Sequence, residues 1–382
     1  MINRKRLIDE FIHLVTFDAE PFEEREIADY LKERLQQLDL EVEEDSAGED
    51  LREYSGKKED RLAGNLYGFL PGNLPAGEQQ EGILLSAHMD TVPPGKGKKA
   101  VLQEDGRIIS EGNTVLGADD AAGIAEILEV LQVIKENNLP HPDIEVLFPI
   151  AEEPYAQGSR LFDYSKIKAK QAYVLDLSGP VGRAAVAAPS IISLRIQVEG
   201  KAAHAGFCPE EGIHAIGIAA SAITQVPHGH IDADTTVNLG TIQGGTARNI
   251  VPDSCIITGE IRSMEHEKAL AQAEKIRQIF EQEAKREGGK AEVTITEEFR
   301  AYRIGQDEPV VIRFQKACEE LGLSGNLEDT FGGSDNNHFT AHGIRGIVVA
   351  NAMNEVHTTK EYTDCQELEK AAELTLKLAL GV

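Results

Sequence analysis

Short apolar runs alternate with helix-period segments from the start of the chain to about residue 180. Residues 83–87, 144–150 and 172–177 read as buried strands. Between the first two, Ile124, Ile127, Leu128, Leu131 and Ile134 recur on one helical face. The same style returns near the end, with a strand over 346–350 and a helix over 367–380. Such alternation predicts an α/β domain with a central mixed sheet flanked by helices. Residues 7–15 mix charged and apolar positions as an amphipathic helix does, and lack the continuous apolar core of a signal peptide.

The middle of the chain has another rhythm. Residues 191–198 alternate like a half-exposed strand, and 213–226 form an Ala-rich helical stretch. Two more alternating strands follow at 235–241 and 254–262, then a long charged helix at 265–286 and a last strand at 291–297. The order β-α-β-β-α-β is that of a ferredoxin-like α+β domain. It closes on itself, so it reads as an insertion over 183–297 within a discontinuous domain made of 1–182 and 298–382. A chain of 382 residues is long for one core, which favours the split. Residues 46–64 are polar with several Gly and predict a surface loop.

Composition narrows the function. Apolar residues make up 41% of the chain, enough for a large core, and no run of about 18 of them exists to span a membrane. A net charge of −27 argues against nucleic acid and anionic membrane as partners. Cys208, Cys255, Cys318 and Cys365 are scattered without a C-x-x-C pair, as in reduced, mostly buried thiols of a cytoplasmic protein.

The ionisable residues fall where the strands end. Residues 84–87 run into His88-Met89-Asp90, 147–151 into Glu152-Glu153, 173–175 into Asp176, and a short loop after 348–350 carries His357. Sites in open α/β sheets form beyond the carboxyl ends of strands, so these groups can meet in one crevice. Asp119-Asp120 opens a helix after Gly117-Ala118; alone, Asp119 fits an N-cap. The Glu pair is harder to place structurally, because two adjacent carboxylates after an apolar run are costly to desolvate and no Lys or Arg follows until Arg160. A metal supplies the missing charge. Two His and three carboxylates without a thiolate suit a pair of zinc ions. Asp90 is placed to orient His88, and one carboxylate of the Glu pair remains free to move a proton.

Ser86-Ala87-His88-Met89-Asp90-Thr91, Gly117-Ala118-Asp119-Asp120, Glu152-Glu153, Asp176 and the late His357 together resemble the M20 metallopeptidases. The Gly-Ala-Asp-Asp form looks most like the peptidase T (tripeptidase) branch. The resemblance implies a zinc-peptidase-like catalytic domain with an inserted lid and dimerisation domain. It implies that His88, Asp119 and Asp176 hold one Zn2+, and Asp119, Glu153 and His357 the other, two per subunit, with Co2+ or Mn2+ as substitutes. Asp119 would bridge, Asp90 would support His88, and Glu152 would be the general base. In Ala203-His204-Ala205-Gly206, the matching family His reaches a neighbouring subunit's site as an oxyanion donor, which implies a homodimer through the inserted domain. Arg248 and Asn249, within Gly244-Gly245-Thr246-Ala247-Arg248-Asn249, are expected to bind a substrate carboxylate. Gly333 and Ser334, within Gly332-Gly333-Ser334-Asp335, resemble a family loop lining the cleft. Two departures, Ala121 in place of a usual Lys and Pro154 in place of an aliphatic residue, touch the substrate assignment only.

The expected activity is therefore hydrolysis of short peptides, as an aminopeptidase acting on tripeptides. An N-acyl amino acid deacylase or carboxypeptidase would use the same water, metals and base. A metal-dependent peptide-binding protein without turnover has no use for an unpaired Glu152, and a phosphohydrolase would want a Lys or Arg cluster that is missing here.

Overall fold

Strands that are apolar on both faces need cover on both sides. In the computed structural model, which describes residues 1–57, 62–75 and 80–381, four such strands lie side by side. Ile144–Phe148, Ile83–Ser86, Gln171–Leu177 and Arg345–Ala350 are adjacent and parallel. Ser86 is level with both Leu147 and Val174, and Val348 is also level with Val174, so the four carboxyl ends emerge at one edge. Leu66–Leu70 and then Glu41–Glu44 extend the sheet antiparallel on one side. On the other, Arg183–Ala188 pairs antiparallel with Arg345–Ala350, and Asn326–Asp329 adds in parallel.

Alternate strand residues point to opposite faces. Leu84, Leu147, Ala172, Val174 and Val348 pack with Phe162, Phe339 and Ile344 on one face. The helix Ala118–Asn137 packs against Ile83–Ser86 and Gln171–Leu177, and also against the helices Arg4–Val15 and Cys365–Leu380. It is buried nearly all round. Its Glu129 is satisfied by Arg6, at 2.6 Å from Nε, and by the Asn3 N–H at 2.7 Å.

The chain divides into two compact units, 1–187 with 303–330 and 334–382, and 188–302 with 331–333. The second holds a sheet in the order Gly229–His230, Thr235–Gly244, Ser254–Ser263, Ser190–Glu199, Lys290–Phe299, antiparallel throughout. The helices Ala215–Ile223 and His266–Arg286 pack on it over a core that includes Ile196, Val198, Ile257, Ile276 and Phe280. The four long strands and two helices follow the expected β-α-β-β-α-β order, to which Gly229–His230 adds a short edge.

The loop expected over 46–64 is corrected in part. It contains the one-turn helices Ala47–Asp50 and Arg52–Ser55, with Ala47, Gly48 and Leu51 buried, because apolar residues in this polar stretch still find cover. Residues 58–61 of that stretch lie outside the described residues. All four cysteines are free, and three are buried. Among the described residues no helix is long and apolar enough to cross a membrane.

Candidate metal centre

His88 follows its strand by two residues and is 1% exposed. Asp176 is the penultimate residue of Gln171–Leu177. Glu152 and Glu153 leave the Ile144–Phe148 strand through Ala151, whose φ is +48°. Three acceptors from distant segments fix that exit. Asn65 Oδ1 takes the Ile150 N–H at 3.1 Å, and Glu24 Oε1 the Ala151 N–H at 3.0 Å. Asp90 takes the N–H groups of Glu152 at 2.8 Å and Glu153 at 3.1 Å, one on each oxygen. His357 itself has φ +61°, and Ala352 and Glu355 in the same loop are also left-handed. Residues with a Cβ hold this conformation at a cost of order 1 kcal/mol each, and such strain collects at functional sites.

Asp119 is not an N-cap. The helix Ala118–Asn137 has Gly117 at its cap with φ +78° and no side-chain cap bond, while Asp119 and Asp120 have non-helical backbone and a cis peptide bond between them. The buried Asp119 carboxylate lies between two imidazoles. Its Oδ1 lies 2.9 Å from His88 Nε2, and its Oδ2 3.1 Å from His357 Nε2. Asp176 Oδ1 is 3.9 Å from His88 Nε2, and Glu153 Oε2 is 3.1 Å from His357 Nε2. Two groups result, His88–Asp119–Asp176 and Asp119–Glu153–His357, each with ligand atoms within 4.8 Å of one another and sharing Asp119. Asp90 Oδ1 is 3.4 Å from His88 Nδ1, long for a hydrogen bond.

The charges here are unbalanced. Burial, reinforced by the negative charges around them, pushes Glu152, Asp176 and Glu153 above the usual carboxylate range. Asp119 goes the other way: against its burial, hydrogen bonds with His357 and His88 hold it low. The same contacts, with Asp119 and Glu153, carry His357 up to about 10. The ion pairs of these carboxylates are with His88 and His357, and among the described residues no Lys or Arg joins them. Among the described residues Glu153 Oε1 is buried without a partner, and no hydrogen-bond donor meets the Glu152 carboxylate. Two imidazoles, three carboxylates, an orphaned buried oxygen and uncompensated negative charge form a donor set suited to divalent cations.

Five other predicted residues belong to neither group. His204 is exposed in the second unit; its Nδ1 accepts the Gly206 N–H at 3.1 Å and its ring stacks on Phe207 at 4.3 Å between centroids. Arg248 and Asn249 are exposed in the same unit, and Arg248 borders an open cavity of about 390 Å³ with His214 and residues 244–247. Gly333 sits against Phe299, where a Cβ would meet the ring at 2.4 Å. Ser334 caps the helix Asp335–Ala341 in a capping box with Asn337.

Several supporting residues carry no signal in the sequence pattern. Glu361 accepts the N–H groups of Gly117 and Asp119, Asn351 donates to Asp120, and Asp120 accepts the His88 N–H at 3.1 Å. Glu24, buried completely, is pushed up to about 8 by burial and by Asp90. Asp335 accepts a hydrogen bond from Ser159 at 2.5 Å. The one hint of Glu361 is its place four residues after His357.

Comparison with known proteins puts this geometry in a family. Residues 186–288 match the M20 peptidase dimerisation domain, and 65–236 match peptidase family M28. Protein YqjE of Bacillus subtilis is 40% identical over 378 residues, 99% of this chain and 98% of that one. A tripeptidase from Staphylococcus aureus is 36% identical with a TM-score of 0.91, covering 99% of this chain and 98% of that one. The aminopeptidase PepT of Bacillus cereus is 39% identical with a TM-score of 0.87, covering 100% and 99%. With relatives of this identity matched end to end, the chain belongs to the M20 metallopeptidases, in their tripeptidase and PepT-like branch.

Proposed function

We propose that this enzyme is a two-zinc aminopeptidase that removes the N-terminal residue of tripeptides in the cytoplasm. The observation that carries the reading is the pair of three-ligand groups sharing Asp119, with Glu152, which meets no hydrogen-bond donor among the described residues, next in sequence to Glu153. The names of the tripeptidase and PepT relatives support the substrate class. His88, Asp119 and Asp176, and Asp119, Glu153 and His357, would hold the two zinc ions, whose chemistry there would be Lewis acidity toward a water and the peptide carbonyl.

The chain's own residues do the rest. Glu152 removes a proton from the attacking water and returns it to the leaving amine. Asp90 locks the backbone of both glutamates and backs His88. In a homodimer through the inserted domain, His204 of one protomer serves the other's site. Its Nδ1 accepts from Gly206, which leaves Nε2 as the donor for the oxyanion. Arg248 and Asn249 take the substrate carboxylate, and Gly333 and Ser334 line the cleft.

Metal analysis with steady-state kinetics on Glu152→Ala tests this reading. The variant is expected to keep the metal content of the wild type and lose turnover. Retained turnover removes Glu152 from its role.

A further inference from the structure

Asp119 is the shared member of both ligand groups, so the backbone that aims it controls both. That backbone opens a helix without a side-chain N-cap of its own. Its free N–H groups are taken from far along the chain. Glu361, 1% exposed, accepts the Gly117 N–H on Oε2 at 2.7 Å and the Asp119 N–H on Oε1 at 3.0 Å. A Ser, Thr or Asn cap satisfies such donors with one short side chain; Glu361 spans two donors two residues apart with both oxygens. The Lys98 stem lies close to Gly117, where a Cβ would meet Lys98 Cε at 3.0 Å. The Lys98 ammonium is bound to the carbonyls of Phe17 at 2.8 Å and Gly95 at 3.0 Å, so it does not pair directly with Glu361.

Ten residues before Glu361, the fully buried Asn351 donates to Asp120 Oδ1 at 2.7 Å and to the Leu175 carbonyl at 2.6 Å. Between these two anchors the loop closes on itself. Asn354 and Tyr362 exchange backbone hydrogen bonds at 3.0 and 3.1 Å, and Thr363 Oγ1 donates to the Ala352 carbonyl at 3.0 Å. This closed loop carries His357.

We propose that Glu361 is a positioning residue. It holds Asp119 so that one oxygen faces each imidazole, and with Asn351 it staples the His357 loop to the Asp119–Asp120 segment. The inference rests on the metal reading above. A rotation of the Asp119 backbone moves both oxygens at once, so loosening this staple weakens both ligand groups together.

Chelator-competition titration of the metal-free proteins with Zn2+ tests it, comparing wild type, Glu361→Gln, Glu361→Ala and His88→Ala, alongside thermal unfolding without metal. Gln keeps one acceptor and Ala none. Affinity is expected to fall about 10- to 100-fold in Glu361→Gln and further in Glu361→Ala. The d–d spectrum of the Co2+-loaded Gln variant is expected to change as well. Should Glu361→Ala fail to fold, Glu361→Gln decides alone. A purely structural Glu361 lowers the unfolding temperature but leaves affinity and spectrum as in the wild type, which overturns the proposal if His88→Ala does lose metal. Wild-type affinity in His88→Ala too removes the metal reading, and the proposal with it.

Discussion

Asp90→Asn isolates the role of a carboxylate that neither group of ligands includes. Asp90 is fully buried, and its two oxygens accept the N–H groups of Glu152 at 2.8 Å and Glu153 at 3.1 Å. Asn is isosteric but keeps one acceptor; its amide nitrogen must face a backbone N–H or turn away. One charge-assisted hydrogen bond is lost and a buried donor is left unpaired, worth about 1.5–3 kcal/mol. If that energy is what holds Glu152 in place, each 1.4 kcal/mol appears as a factor of ten in rate. The expected loss in kcat/KM is therefore about 10- to 100-fold. Steady-state kinetics on the zinc-loaded variant read it, with circular dichroism to confirm the fold. A kcat/KM within twofold of wild type refutes the argument that Asp90 aims the glutamates.

Two further outcomes follow from other parts of the molecule. Glu126 is buried between the helices Ala118–Asn137 and Cys365–Leu380, with Thr375 at 3.3 Å and its Oε1 unpartnered, and burial raises it well above its ordinary 4.5. Above pH 4.5 the unfolded chain releases a proton that the fold retains, so Glu126 destabilises the protein increasingly as pH rises towards its folded pKa. Relative to Glu126→Gln, wild type is expected to lose about 1.4 kcal/mol per pH unit over that window; a difference in denaturant stability that does not change between pH 5 and 7 contradicts this. Mixing inactive His204→Ala with inactive Glu152→Ala under subunit exchange is expected to restore activity, since one site per mixed dimer has both residues. No recovery, with exchange verified, places His204 outside the partner's site.

The candidate metal-binding groups could be read from the sequence because a general rule of open sheets turns four strand ends into one crevice. His88, the Glu pair and His357 follow strands whose apolar runs are plain in the sequence, and Asp176 lies at the end of another. Asp119 was ambiguous for a physical reason: an Asp before a helix serves equally as a cap, and only the backbone, which leaves helical geometry at Asp119 and Asp120, separates the two. Ser334 shows the reverse, since its hydroxyl is used in a cap. Apart from the place of Glu361 four residues after His357, the supporting residues left no trace in spacing. Glu24 reaches Ala151 across 127 positions, and Glu361 reaches Asp119 across 242. Such contacts are set by tertiary packing, which periodicity does not encode. In the second unit the two-residue Gly229–His230 strand was too short for any pattern.

The central claim, tripeptide aminopeptidase activity at the metal pair, is tested most directly by offering the zinc-loaded protein four compounds: a tripeptide, its N-acetylated form, its dipeptide fragment and an N-acyl amino acid. Release of the N-terminal residue from the tripeptide is expected, with no cleavage once the amine is acetylated. Cleavage of the acylated compounds alone contradicts it.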